Sequence, residues 1–131
     1  MRFAKWVFLI GGVWGVLIIG PLFFAEGLMA ESTGKPFNHP DTYYGFVAAV
    51  FCWQLSYLVI SRDPARYRPF MLLGALGKLL YAGGCWLLFA QGRIPVTVPA
   101  IASPDLLLAG LFVVAWLRTV PMREGPPPSV A

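Results

Sequence analysis

Four long apolar stretches constrain this chain more than anything else in its sequence. Residues 6–25 carry no charge between Lys5 and Glu26, and residues 42–61 carry none between Asp41 and Arg62. Residues 69–92 are interrupted only by Lys78. The last stretch lies between Arg93 and Arg118 and is less uniform. A bilayer core of about 30 Å needs roughly twenty residues of helix. Transmembrane strands alternate polar and apolar over about ten residues, whereas these runs are apolar on all sides. Helices satisfy their own backbone in lipid, so the chain reads as all-α, an integral membrane four-helix bundle. Composition agrees. Charged residues make up 12% of the 131, about half the share of an ordinary soluble domain, and hydrophobic residues 58%. Disordered, collagenous and disulfide-stapled chains need compositions that this one lacks.

The expected helices run over 6–25, 42–61, 69–90 and 104–119, within one domain of residues 1–122. Residues 123–131, with Pro126, Pro127 and Pro128, read as a short disordered tail. Pro95 and Pro99 argue against regular helix over 94–103. Ser103 as cap, Pro104 in the first turn and Asp105 behind it mark the fourth start. That helix is short, about 24 Å. The first stretch is longer than the core of a signal peptide and reads as a retained helix rather than one cleaved after Ala30. Arg2, Lys5, Arg62, Arg66, Arg68, Arg118 and Arg123 fall on one side of the membrane, Lys35 and Arg93 on the other. This asymmetry predicts both termini in the cytoplasm. Glu26, Glu31, Asp41 and Asp105 then lie at the outer surface, in an outer loop and at a helix start. Phe37, Tyr43 and Tyr44 suit the outer interface, and Trp6, Tyr67 and Trp116 the inner one.

Lys78 is the most informative residue. It lies ten residues past Arg68, about 15 Å along a helix and near the bilayer midplane. A lysine there is costly and usually has a purpose. With every acid assigned to a membrane surface, its partners are sought among neutral groups. Gly74, Lys78, Tyr81 and Cys85 share one helix face; Tyr43, Val47, Val50, Gln54, Tyr57 and Ser61 share another. The loop from Arg62 to Arg68 is short, so the second and third helices should be antiparallel neighbours. A hypothetical intramembrane polar site therefore comprises Lys78 with Gln54 and Tyr57, and with Trp53 or Tyr81 as cation–π partners. Its structural counterpart is polar glue between helices. By helix geometry the ammonium should lean toward the cytoplasm.

Other features have plainer readings. Gly11 and Gly15 form a GxxxG pair beside Gly12; Gly74, Gly77, Gly83, Gly84 and Gly110 mark later helices. Such residues let helices approach closely, within the chain or in a homodimer through Gly11 and Gly15. Arg62, Arg66 and Arg68 form a lipid-facing basic loop, satisfying the topology rule and suited to anionic lipid or another membrane protein. His39 is the sole histidine and reads as part of a helix start over residues 38–41, capped by Asn38 or Asp41. Cys52 and Cys85 read as free core residues. No phosphate loop, nucleophile–base pair or metal-ligand cluster is visible, so no cofactor or metal is expected and an enzyme is disfavoured. The basic residues sit at membrane ends, which gives no nucleic-acid surface.

His39-Pro40 before Tyr43-Tyr44-Gly45-Phe46, Trp53-Gln54, Arg62-Asp63-Pro64 and Arg66-Tyr67-Arg68-Pro69 resemble, over residues 39–95, a group of small uncharacterised bacterial four-helix inner-membrane proteins. The resemblance implies a multi-pass protein of the bacterial cytoplasmic membrane, and no activity. In such sequences an acid precedes the lysine; here Gly77 stands there. The reading is a non-enzymatic accessory or interaction component. The alternative is a small-solute or lipid binder, or transporter, organised around Lys78.

Overall fold

A computed structural model describes residues 2–34, 38–123, 125–126 and 129–130. The expectations placed on Lys35 and Phe37, and the proline run of the tail in part, lie outside the described residues. Helix α1 spans Arg2–Ile19 and tightens into a 3-10 turn over Gly20–Phe24, where Pro21 withholds a backbone donor. A short α2, Glu26–Thr33, follows within what reads in sequence as a loop; it ends on Gly34, whose φ of 68° suits glycine. Helix α3 is Pro40–Arg62 and α4 is Arg68–Ala90. The last two pieces are α5, Thr97–Ala102, and α6, Pro104–Arg118. There is no strand among the described residues. Four stretches are long and apolar enough to cross a membrane: Arg2–Phe24, Pro40–Arg62, Arg68–Ala90 and Thr97–Arg118.

The fourth stretch differs from the sequence expectation. Pro95 lies before the helix and Pro99 does not exclude it, because Pro99, like Pro104 in the next piece, falls in the first turn, where the missing N–H has no partner in the helix. Ser103 stays in the αR region and caps nothing. Its hydroxyl donates to the Pro99 carbonyl at 2.7 Å and accepts from the Trp86 indole at 3.1 Å. The stretch is thus 22 residues long, about 33 Å, and not short. A similar correction applies to α3: His39 precedes it, but no side chain caps it.

Small residues decide the packing. Helix α1 lies mainly on α3, and α4 mainly on α6, with α1 also touching α6; the seam between α3 and α4 is lightly packed despite their short loop. Gly12 admits Leu58, since a Cβ there would stand 2.6 Å from its Cδ2, and Gly15 leaves room for the Gln54 side chain. Gly11 faces Phe112 and Leu108. Gly11 and Gly15 are therefore buried within the chain, where they serve the first of the two roles open to them, contact between its own helices. Gly77, Gly83, Gly84 and Gly110 have open space where a Cβ would be, so they make no close helix contact within the chain. Cys52 is exposed, not in the core, while Cys85 is buried; both are free.

At the centre, the Phe8 and Phe112 rings stack with centroids 4.1 Å apart, and Tyr57 meets Phe112 edge-on at 4.9 Å. A Cβ at Gly74 would be 2.8 Å from the Tyr57 ring. These four residues bring α1, α3, α6 and α4 together at one point. One end of the bundle gathers the start of α1, the α3–α4 loop and the end of α6. There the Arg118 guanidinium lies over Phe3 at 4.8 Å, and Arg68 Nε donates to the carbonyls of Trp116 and Thr119. The opposite end is tied by Tyr43, whose hydroxyl donates to the Leu22 carbonyl, and by Tyr44, which donates to Glu26.

Candidate functional site

Helix α4 turns Met71, Gly74, Ala75, Lys78, Ala82 and Cys85 inward. These recur at helical spacing, so one apolar stripe carries a single charge. Tyr81 is rotated out of that stripe, 45% exposed, with its ring near Phe46. Lys78 is 7% exposed. Its Nζ donates to Asp105 Oδ1 at 2.8 Å, forming a salt bridge between α4 and α6.

This carboxylate overturns the expectation that no acid lies near Lys78. In the sequence, Ser103 and Pro104 look like the start of the fourth helix, which would leave Asp105 at the outer surface. Helix in fact begins at Thr97, which carries Asp105 about 12 Å into the span. Lys78 lies ten residues from the basic end of α4 and Asp105 thirteen from that of α6, so their levels differ by about 5 Å. An extended lysine covers that difference.

The other face of the ammonium meets Tyr57, with Nζ 5.5 Å from the ring centroid. The contact expected between Lys78 and the second long helix is therefore present, made by the ring and not by a side-chain carbonyl. The ammonium is held between Tyr57 and Asp105 instead of simply leaning toward the basic end. Trp53 packs against the outer edge of Tyr57, centroids 6.2 Å apart, and is itself 39% exposed.

Gln54 does not join this site. It is 4% exposed and turned toward α1, in the space left by Gly15. Its Nε2 donates to the Val50 carbonyl at 3.1 Å, and its Oε1 is buried without a partner. The glycine face of α1 was the available signal, because it offers a long polar side chain a slot that Lys78 does not.

The three arginines of the α3–α4 loop also separate. Arg68 is half-buried, its guanidinium 4.2 Å over the Trp116 ring, where it closes the open carbonyl end of α6. It is committed to the bundle, not lipid-facing as expected. Arg62 and Arg66 are exposed, with Arg66 5.6 Å over Tyr67. Among the described residues no group of three His, Cys, Asp or Glu is placed to hold a metal ion.

Chemically, the mid-span site is an amine and a carboxylate in hydrogen-bond contact, covered by an aromatic face. Such a pair cancels two charges that hydrocarbon would each penalise. The Asp105 side chain is 25% exposed and the Lys78 side chain 8%, so the pair is open on the acid's side. Comparison with family models, with curated proteins and with solved structures gives no match.

Proposed function

We propose that this chain is a small polytopic protein of a bacterial inner membrane, with both termini in the cytoplasm, acting as a non-enzymatic accessory or interaction component. One observation carries the reading: Lys78 is consumed by Asp105 and Tyr57 within packed helices. A paired charge set in a core serves to fix which helices meet and in what register. The orientation is supported by the gathering of Arg68, Arg118 and the start of α1 at one end, together with the asymmetry of basic residues. The bacterial assignment rests on the resemblance of residues 39–95, and the acid found beside the lysine in those sequences is replaced here by one from α6.

The test is crosslinking in native membranes followed by purification in mild detergent. An interaction component brings down a protein partner in fixed stoichiometry, and a Lys78→Met/Asp105→Leu double variant brings down the same one. Absence of any stoichiometric partner rejects the reading.

The partial opening at Asp105 favours a second reading, a solute or proton carrier built on the pair. An amine and a carboxylate in contact can exchange a proton. In proteoliposomes that reading requires a flux that Lys78→Met abolishes and Lys78→Arg does not fully restore, since arginine is effectively never deprotonated. Flux unaffected by both changes removes it.

A further inference from the structure

Because α3 packs on α1 and α4 on α6, the seam between α3 and α4 is left lightly filled next to their loop. A shallow groove lies there, lined by Ser56, Val59, Ile60, Tyr67 and Phe70, and open to the outside of the bundle. Its wall is apolar, because the Ser56 hydroxyl is turned back onto the Cys52 carbonyl at 2.9 Å. Ser56 precedes Arg62 by six residues, so the groove reaches about 9 Å into the span from the basic end. That is the depth of the glycerol and upper acyl region of one leaflet.

The mouth is positively charged. The Arg66 guanidinium lies over Tyr67, one of the lining rings, and Arg62 is exposed one turn beyond Val59. Arg68, by contrast, is already taken by the end of α6. Asp63, the one acid of this loop, accepts the backbone N–H of Arg66 through Oδ1 at 3.2 Å and so shapes the turn.

We propose that this groove seats one anionic phospholipid, an acyl chain lying along Ser56, Val59, Ile60 and Phe70 and the headgroup phosphate meeting Arg66 and Arg62. Charge complementarity selects the occupant. An apolar slot at acyl depth beneath two exposed guanidiniums suits a diester that carries net negative charge, and basic pockets between membrane helices bind such headgroups. Guanidinium also offers a phosphate paired donors in one plane.

The test is native mass spectrometry of the full chain in mild detergent, titrated with phosphatidylglycerol and with phosphatidylethanolamine of the same acyl chains. One phosphatidylglycerol should be retained in preference. Arg66→Gln should weaken that retention about fivefold, and Arg62→Gln/Arg66→Gln roughly twenty-fivefold. Arg2→Gln/Lys5→Gln, at the same end of the bundle but away from the groove, should leave it unchanged. Val59→Trp should fill the slot and reduce retention of both lipids; Ser56→Leu serves if that variant does not fold. Equal retention of the two lipids overturns the proposal. So does an equal loss from the Arg2 and Lys5 changes, which would mean a diffuse electrostatic attraction with no groove behind it.

Discussion

At the scale of single residues, the Lys78–Asp105 contact controls what each substitution should do. Removing the lysine alone leaves a carboxylate in a low-dielectric span, and removing the acid alone leaves an ammonium. Breaking a buried pair from one side typically costs about 3 kcal/mol or more, whereas replacing both partners with apolar residues is often neutral. Lys78→Met and Asp105→Leu should therefore each lower unfolding stability in detergent by about 3 kcal/mol, and the double variant should recover most of it. A double-variant cycle with additive losses would show that the pair is not formed. Arg68 makes a second prediction. Arg68→Ala removes two hydrogen bonds to the end of α6 and a stacking contact, and should cost about 2 kcal/mol. Arg68→Lys should restore only part of that in the same unfolding measurement, since an ammonium keeps the charge but loses the planar face. Full recovery with lysine would reduce the role of Arg68 to charge alone.

At the scale of elements, the helices are distinguished by where their glycines face. Gly15 stands against Gln54, and a methyl group there has no room without displacing a buried side chain. Gly15→Ala should cost about 1–3 kcal/mol, the usual penalty of overpacking. Gly77→Ala, on the open side of α4, should be neutral or slightly stabilising, because alanine is the better helix former. Paired thermal denaturation of the two variants checks this, and equal losses would contradict the packing described. The fourth span illustrates how proline position matters more than proline count. Pro95 and Pro99 read as helix breakers when counted; placed, Pro95 precedes the helix and Pro99 is a first-turn residue. The seven residues from Thr97 to Ser103 that join the span lengthen it and set the depth of Asp105.

At the scale of the whole molecule, Arg2, Lys5, Arg62, Arg66, Arg68 and Arg118 at one end and the tyrosine contacts at the other, where Arg93 also lies, give the bundle two unlike ends. Alkaline phosphatase fused after Ala131 should be inactive and a fluorescent protein there should glow, as the positive-inside rule requires. An active phosphatase would reverse the proposed orientation or mean that the first helix is cleaved away. Helix α1 supplies Ala4, Phe8, Gly11, Gly12 and Gly15 to the interior, and Phe8 stacks at the point where all four spans meet.

The long helices and the inward faces of two of them were legible in the sequence alone. Apolar length and 3.6-residue spacing are local properties, and hydrocarbon permits few backbones besides helix. Thus Val47, Gln54, Tyr57 and Ser61 turn inward together, as do Gly74, Lys78 and Cys85. The place of Lys78 on the inward face of its helix was legible for the same reason, and so was its neighbour Tyr57. What lay beyond the sequence was pairing. The short α3–α4 loop suggested that those two helices are antiparallel neighbours, but loop length limits only the distance between their ends, and the seam between them is lightly packed. Which faces close together depends on which side chains fill which gaps, and Gly12 and Gly15 drew α3, with Gln54, onto α1. The carboxylate for Lys78 was hidden for a related reason. Its depth depended on helix continuing back through Pro104 to Thr97, and its direction on α6 lying against α4; both were decided by tertiary structure.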